Sequence, residues 1–303
     1  MRFSLFCKSF RDDLERFVRL LDSVERHNTD SLPFVLSVPS ADLEQFKNRI
    51  GTRRVEFLTD EQILGREAKQ SWSSQQLVKL YAWRQDFADA WLLVDSDYYF
   101  IRAFSKQDFL DDAGRVALVA AAQRHVLDDH WPQIATYLSS GTLPESPVEA
   151  RLGQAGDARA LPAFPRLRLA LDGVLGTGVI DKLPRIQGFF GRAGIVRNYM
   201  PGPVWTAACL RSMERELLDP RAASFETLIR YSPWESVWVG EWELFRGMPG
   251  RFLADSALLH VYKDETILRC REEGLGEQAI AARYLGLQLA ARHQRLLELD
   301  PLR

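Results

Sequence analysis

The stretch "LLVDSDYYFIRAF", Leu92 to Phe104, runs three apolar residues straight into Asp95, Ser96 and Asp97. Two carboxylates one residue apart at a strand end suit a cation, provided the backbone turns at Ser96 so that both reach the same ion. Carboxylate oxygens are hard ligands and select Mg²⁺ or Mn²⁺, and Mg²⁺ keeps several waters while borrowing oxygens from substrate phosphates. Two protein ligands are few, so the expected completion is a nucleoside diphosphate. Asp-x-Asp also arises by chance on loops, and its weight here comes from its position.

That position follows from the order of elements. Phe3 to Phe6 is a short apolar strand, and "RDDLERFVRLLDSVERH" sets Leu14, Phe17, Val18, Leu20, Leu21 and Val24 at helical spacing. "LPFVLSVP" reads as a buried strand, Ser40 as the N-cap of a helix over "ADLEQFKNRIG", and "RRVEFLTD" as a third strand. A helical segment, "SWSSQQLVKLYAWRQDFADA", with Trp72, Leu77, Leu80, Tyr81 and Phe87 on one side, leads into the strand "WLLVDSD". This βαβαβ order predicts an α/β fold: a Rossmann-type, mostly parallel sheet flanked by helices. Ligands of such sheets bind beyond the carboxyl ends of the strands, where Asp95 and Asp97 fall.

Further candidates sit around that end. The loop after the first strand, Ser9 to Asp12, is expected at the switch point of the sheet, with Arg11 either on a diphosphate or on the surface. Gln75 and Lys79 lie one turn apart on the helix before the aspartates, with Gln76 beside them; a solvated helix face has the same pattern. "SPWESVWVGEWELF" surrounds Glu235 with Trp234, Trp238 and Trp242. Rings of this kind stack on sugars, so Trp234 and Trp238, with Trp205 before them, are candidate acceptor contacts. Glu235 is then a candidate general base or acceptor-binding carboxylate, with Glu241 and Glu243 as rivals. Core tryptophans beside a capping or paired Glu235 explain the pattern equally well. "DSALLHVYKDE" reads as a strand ending in His260 and, beyond it, Lys263, a candidate phosphate contact. His260 is a metal ligand or a core histidine, and Mn²⁺ accepts imidazole more readily than Mg²⁺ does. Gly188, Gly191 and Gly194 read as a loop that lets backbone approach a substrate.

Composition narrows the classes. The 303 residues are 46% hydrophobic, with 39 Lys and Arg against 41 Asp and Glu, so a large core is affordable and no net basic charge points to nucleic acid. Cys7, Cys209 and Cys270 form no Cys-x-x-Cys pair, which fits a reducing compartment. The polar turn after Phe6 is too early for a signal peptide, and no apolar run is long enough to span a bilayer, so a cytoplasmic protein is expected. The Arg- and Leu-rich end, "ARHQRLLELDPLR", reads as a helix packed on the domain, with peripheral membrane attachment as the alternative.

The motifs "WSSQQLVKL", "LLVDSDYYFIRAF", "SPWESVWVGEW" and "LLHVYKD" occur in an order that resembles GT-A-fold glycosyltransferases, and more narrowly a sparsely characterised bacterial GT-A-like family. The second motif carries most of the resemblance, and the last two match more loosely. The resemblance implies transfer of a sugar from a UDP- or GDP-sugar to a hydroxyl of a glycan or similar acceptor, in bacterial surface glycan or polysaccharide synthesis. Asp95 and Asp97 would hold Mn²⁺ or Mg²⁺ against the diphosphate, with His260 completing the metal shell. Ser9, Arg11, Gln76, Lys79, Ser96 and Lys263 would contact the donor. Two other classes remain: a sugar-phosphate nucleotidyltransferase, although "CKSFRDD" lacks the glycines expected after its first strand, and a non-catalytic glycan- or nucleotide-binding protein. One continuous domain is expected, with a donor-binding part over 1–115, an acceptor-side part over 116–270 containing an irregular flap over 126–184, and a helical C-terminal segment over 271–303.

Overall fold

The computed structural model describes residues 1–111, 113–116, 118–119, 183–191, 202–247, 252–253, 257–261, 268–270, 272–274 and 276–289. Its strands are β1 (Phe3–Lys8), β2 (Phe34–Val38), β3 (Glu56–Thr59), β4 (Ala90–Asp95), β5 (Tyr98–Phe100), β6 (Leu118–Val119), β7 (Val204–Thr206), β8 (Phe252–Leu253), β9 (Leu258–Val261) and β10 (Gly286–Leu289). The helices are α1 (Leu14–His27), α2 (Leu43–Ile50), α3 (Asp60–Leu64), α4 (Trp72–Tyr81), α5 (Leu183–Phe189), α6 (Ala207–Ser212), α7 (Phe225–Tyr231), α8 (Glu235–Phe245) and α9 (Glu277–Ala281).

The main sheet has the order β3-β2-β1-β4-β7, parallel except for β7, which runs antiparallel to β4. Strands β1 and β2 are buried along their whole length, as a parallel sheet covered on both faces requires. Alternation divides the side chains. Phe6, Trp91 and Leu93 face a layer built by α3, α4 and α5 to α8, whereas Leu5, Cys7, Leu92 and Val94 face α1 and α2. The chain builds β1, β2 and β3 in one direction and then returns across β1 to β4. The switch point therefore lies between the ends of β1 and β4, where Lys8 pairs in register with Asp95.

A second sheet, in the order β5-β10-β9, continues from the turn after β4. Strand β10 runs antiparallel to β5 and parallel to β9, which aligns Tyr98, Gln288 and His260 across three strands. Gly286 permits this pairing, because a Cβ there would lie 2.5 Å from the Tyr99 carbonyl oxygen. A strand of four residues inside the segment expected to be helical corrects that reading; residues 290–303 lie outside the described part.

Other local expectations also change. Ser40 opens a 3-10 turn without capping it through its side chain, and its N–H donates to Glu61 Oε2 at 3.0 Å. The side-chain caps occur elsewhere: Thr59 and Gln62 form a reciprocal box at α3, and the Ser71 hydroxyl accepts from the Ser74 N–H at α4. The helix before β4 stops at Tyr81, and Trp72, in its first turn, is 55% exposed instead of sharing the buried side. Gly188 lies inside α5, not in a loop; Gly194 and the flap residues 126–182 lie outside the described part. No described helix is long and apolar enough to cross a membrane.

Candidate functional site

Strand β4 ends at Asp95, and Ser96 and Asp97 form the turn into β5, so the backbone bends at Ser96 as expected. Asp95 continues the Leu93 side of the strand toward α4. There the Lys79 ammonium lies 2.7 Å from Asp95 Oδ1 and 3.3 Å from Glu235 Oε1, tying α4, β4 and the first turn of α8 together. Burial lowers the proton affinity of that ammonium, but Asp95 and then Glu235 outweigh it and leave the pKa raised. Lys79 is therefore a buried charged bridge and not a solvated helix residue.

Asp97 has different neighbours. Gln288 Nε2 donates to its Oδ1 at 3.2 Å, and the Leu289 N–H donates to its carbonyl at 3.1 Å, so β10 fixes the turn through side chain and backbone together. Burial, then the charge of Asp95, lift the Asp97 carboxyl to about 7; Asp13 adds to the rise and the Gln288 hydrogen bond opposes it. Asp13 is raised as well, by burial first, against the Arg16 guanidinium and a hydrogen bond from Ser96. Arg16 forms an ion pair with Asp13. The strand end thus gathers three interacting aspartates, of which the sequence reading named two.

This environment fits a divalent cation. Asp95 remains 27% exposed and so can be reached from solvent, and Asp97 is crowded by like charge. Among the described residues, Gln288 Oε1, Ser9 Oγ and both polar atoms of the Gln76 carboxamide have no hydrogen-bond partner although buried. Buried polar groups in this state ordinarily meet water or a ligand. No group of three or more His, Cys, Asp or Glu side chains among the described residues is arranged to hold an ion. His260 is buried in β9, in register with Gln288 of β10, and β10 lies between that strand and β5. The remaining positions would fall to ligand and water.

On the other side of β1, a cleft of about 270 Å³ opens between the ends of β1 and β2 and the first turn of α4, with Lys69, Trp72 and Gln75 on its wall. Its floor is a buried charge network. Lys8 lies 3.1 Å from Asp60 Oδ2 and also donates to the Ser9 carbonyl, and the Ser37 hydroxyl donates to Asp60 Oδ1 at 2.7 Å. Sequence reading missed Lys8, Asp60 and Asp13. A signal was available, since β1, β3 and β4 each run an apolar segment into a charged residue at the carboxyl end. A larger cleft, about 660 Å³, lies at the opposite end of β2, where Arg53 is held by Asp22 and Glu25. It is remote from the strand ends that position the aspartates.

The other expected site residues divide clearly. Ser9 lies at the switch point, fully buried, with its N–H on the Ser37 carbonyl at 2.9 Å. Arg11 is on the surface, and its guanidinium and backbone N–H bind the buried Asp42 carboxylate at 2.9–3.1 Å. Trp205 pairs with Trp91 in the sheet, and Trp238 packs among Phe189, Phe190 and Tyr231; at 2% and 0% exposure neither ring has a face for an acceptor. Trp234 is half-buried at the entrance to α8. Glu241 accepts from Gln187 at 3.2 Å, and Glu243 bonds the Cys209 thiol within the helical layer, lifted by burial to about 7. Glu235 alone of the three joins the aspartate site. Lys263 lies outside the described residues.

Fold and site together define an α/β protein with an acidic centre at the switch point of a mostly parallel sheet. Residues 4–148 match the profile of a family described as Family of unknown function (DUF6492). The matched stretch holds β1 from Ser4 onward, β2 to β4, Lys79 and the Asp95-Ser96-Asp97 turn, and excludes Glu235 and Gln288. No curated protein matches the chain.

Proposed function

We propose that the protein is a divalent-metal-dependent glycosyltransferase of GT-A type, acting in the cytoplasm, that moves a sugar from a nucleoside-diphosphate donor to a hydroxyl of a glycan acceptor. The observation that carries this reading is the Asp95-Ser96-Asp97 turn, placed at the switch point with Asp97 lifted to about 7 among neighbouring carboxylates. A bound Mn²⁺ or Mg²⁺ would neutralise charge developing on the leaving diphosphate. Asp95 and Asp97 would hold it, and Gln288 would keep the second carboxylate in place. The cleft beside Lys8, with Trp72 on its wall, suits the nucleoside. Glu235, held by Lys79 on the acceptor side, is the candidate base.

A thermal-shift series of nucleotide sugars with and without Mn²⁺ tests the binding half of this reading, because a ligand selective for the folded chain raises its apparent stability. Mn²⁺-dependent shifts are expected for the donor class, and their absence throughout would reject it. Release of nucleoside diphosphate in the presence of an acceptor separates a transferase from a nucleotidyltransferase or a binding protein. Glu235→Gln, assayed at saturating Mn²⁺, is expected to lower turnover about 10²- to 10⁴-fold with a smaller change in donor affinity. Unchanged turnover would remove Glu235 from the mechanism.

A further inference from the structure

We propose that Lys79 is a positioning residue that couples cation occupancy at Asp95 and Asp97 to Glu235. Without the ion, its ammonium bridges Asp95 and Glu235. An ion arriving at Asp95 takes over that carboxylate and leaves the ammonium with Glu235 as its carboxylate partner among the described residues. The inference rests on the metal-dependent reading of the aspartate turn and adds a mechanism by which the far side of the site responds to the metal.

The bridge is unequal, 2.7 Å to Asp95 and 3.3 Å to Glu235, so the ion-free chain commits the ammonium mainly to the carboxylate that the ion would need. Exposure is unequal in the same sense. Asp95 is 27% exposed, whereas the side chains of Lys79 and Glu235 are 7% and 9% exposed. An ion can therefore reach Asp95 from solvent, and the displaced ammonium stays inside the protein. Two cations on one carboxylate repel each other, and a lysine head is a compact charge on a rotatable stem, able to change partners without moving its helix. Among the described residues its other carboxylate partner is Glu235. Gln76, three residues earlier on the same helix and 2% exposed, has both carboxamide atoms without a hydrogen-bond partner among the described residues. Residues at this spacing are neighbours on a helix surface, so the Gln76 carbonyl oxygen is a ready acceptor for the displaced ammonium.

The test is calorimetric titration of Mn²⁺, without nucleotide, into the full chain, Lys79→Met, Glu235→Gln and the double variant, each checked for native circular dichroism. Removing the competing ammonium is expected to tighten Mn²⁺ binding about tenfold or more, and Glu235→Gln to weaken it, since Lys79 then serves Asp95 alone. In the Lys79→Met background, Glu235→Gln is expected to have less than about a third of its effect in the native background, the non-additivity of a residue that acts through its neighbour. Weaker Mn²⁺ binding in Lys79→Met, or additive effects, would make Lys79 a fixed structural bridge and overturn the coupling while leaving the metal site standing. No Mn²⁺ binding by any variant, either alone or with UDP or GDP present, would instead reject the metal site and the coupling together. If Lys79→Met does not fold, Lys79→Gln, which keeps hydrogen-bonding groups beside both carboxylates, is read by the same signs.

Discussion

Replacing Asp97 with asparagine is expected to weaken Mn²⁺ binding at least a hundredfold, about 2.7 kcal/mol, while making the folded chain more stable at neutral pH. The two effects have one cause. Burial and the charges of Asp95 and Asp13 lift the Asp97 carboxyl from the ordinary 3.8 to about 7, so the folded chain holds a proton that the unfolded chain has released. Stability contributed at this position consequently falls as pH rises from about 4 to about 7, and above 7 the folded chain bears the full cost of the charge. Asparagine removes that charge and keeps a carbonyl oxygen for Gln288, with a gain on the order of a few kcal/mol above pH 7. Glu243, also lifted to about 7, gives a slope of the same sign in both proteins, so the difference between them isolates Asp97. Thermal unfolding at pH 5 and pH 8 checks it: the variant should gain more on the native chain at pH 8 than at pH 5. Equal differences at both values would show that Asp97 is not crowded by like charge. Mn²⁺ affinity should rise with pH up to about 7 and level off above, because the ion must displace the proton.

Lys8→Met is expected to produce the largest loss of stability, about 3–5 kcal/mol, because it leaves Asp60 charged and unpaired in the interior. The side chains of Lys8 and Asp60 are 3% and 5% exposed, and their contact joins β1 to the start of α3. Burial raises the Asp60 carboxyl even with Lys8 and Ser37 opposing it, so this carboxylate depends on its partners. Adding Asp60→Asn should recover most of the loss, since an amide oxygen still accepts from the Ser37 hydroxyl. Denaturant midpoints of the single and double variants measure both effects. A single-variant cost below about 1 kcal/mol would place the pair in contact with water, in the range of surface ion pairs.

The main sheet is legible in the sequence because its strands are short apolar runs separated by helices with one clear apolar face. Burial on both sides of β1, β2 and β4 leaves those runs little room for ambiguity. The turn at Ser96 is legible too, because a bend is expected there if Asp95 and Asp97 are to face the same side. The tryptophans show why aromatic content alone misleads. Trp234, Trp238 and Trp242 recur every four residues, the spacing of a single helix face, and α8 buries every residue from Glu235 to Leu244. That spacing favours packing over sugar stacking for Trp238, while Trp72, in the first turn of α4, stands at the wall of the cleft. The surroundings of His260 were hidden for a different reason. They depend on β10, a four-residue strand whose pairing is entirely non-local, and "GLQL" carries no local mark that distinguishes it from a helical segment. Asp13 and Lys79 acquire their roles only when α1 and α4 come together at the end of β4.

The most direct test of the aspartate turn as half of a metal–diphosphate site is titration of UDP and GDP into the chain with and without Mn²⁺, in parallel with Asp97→Asn. Mn²⁺ is expected to raise the affinity of at least one of the two nucleotides by tenfold or more in the native chain and to have no effect in the variant. Nucleotide affinity independent of Mn²⁺ in the native chain, or an equal Mn²⁺ effect in both proteins, would contradict it.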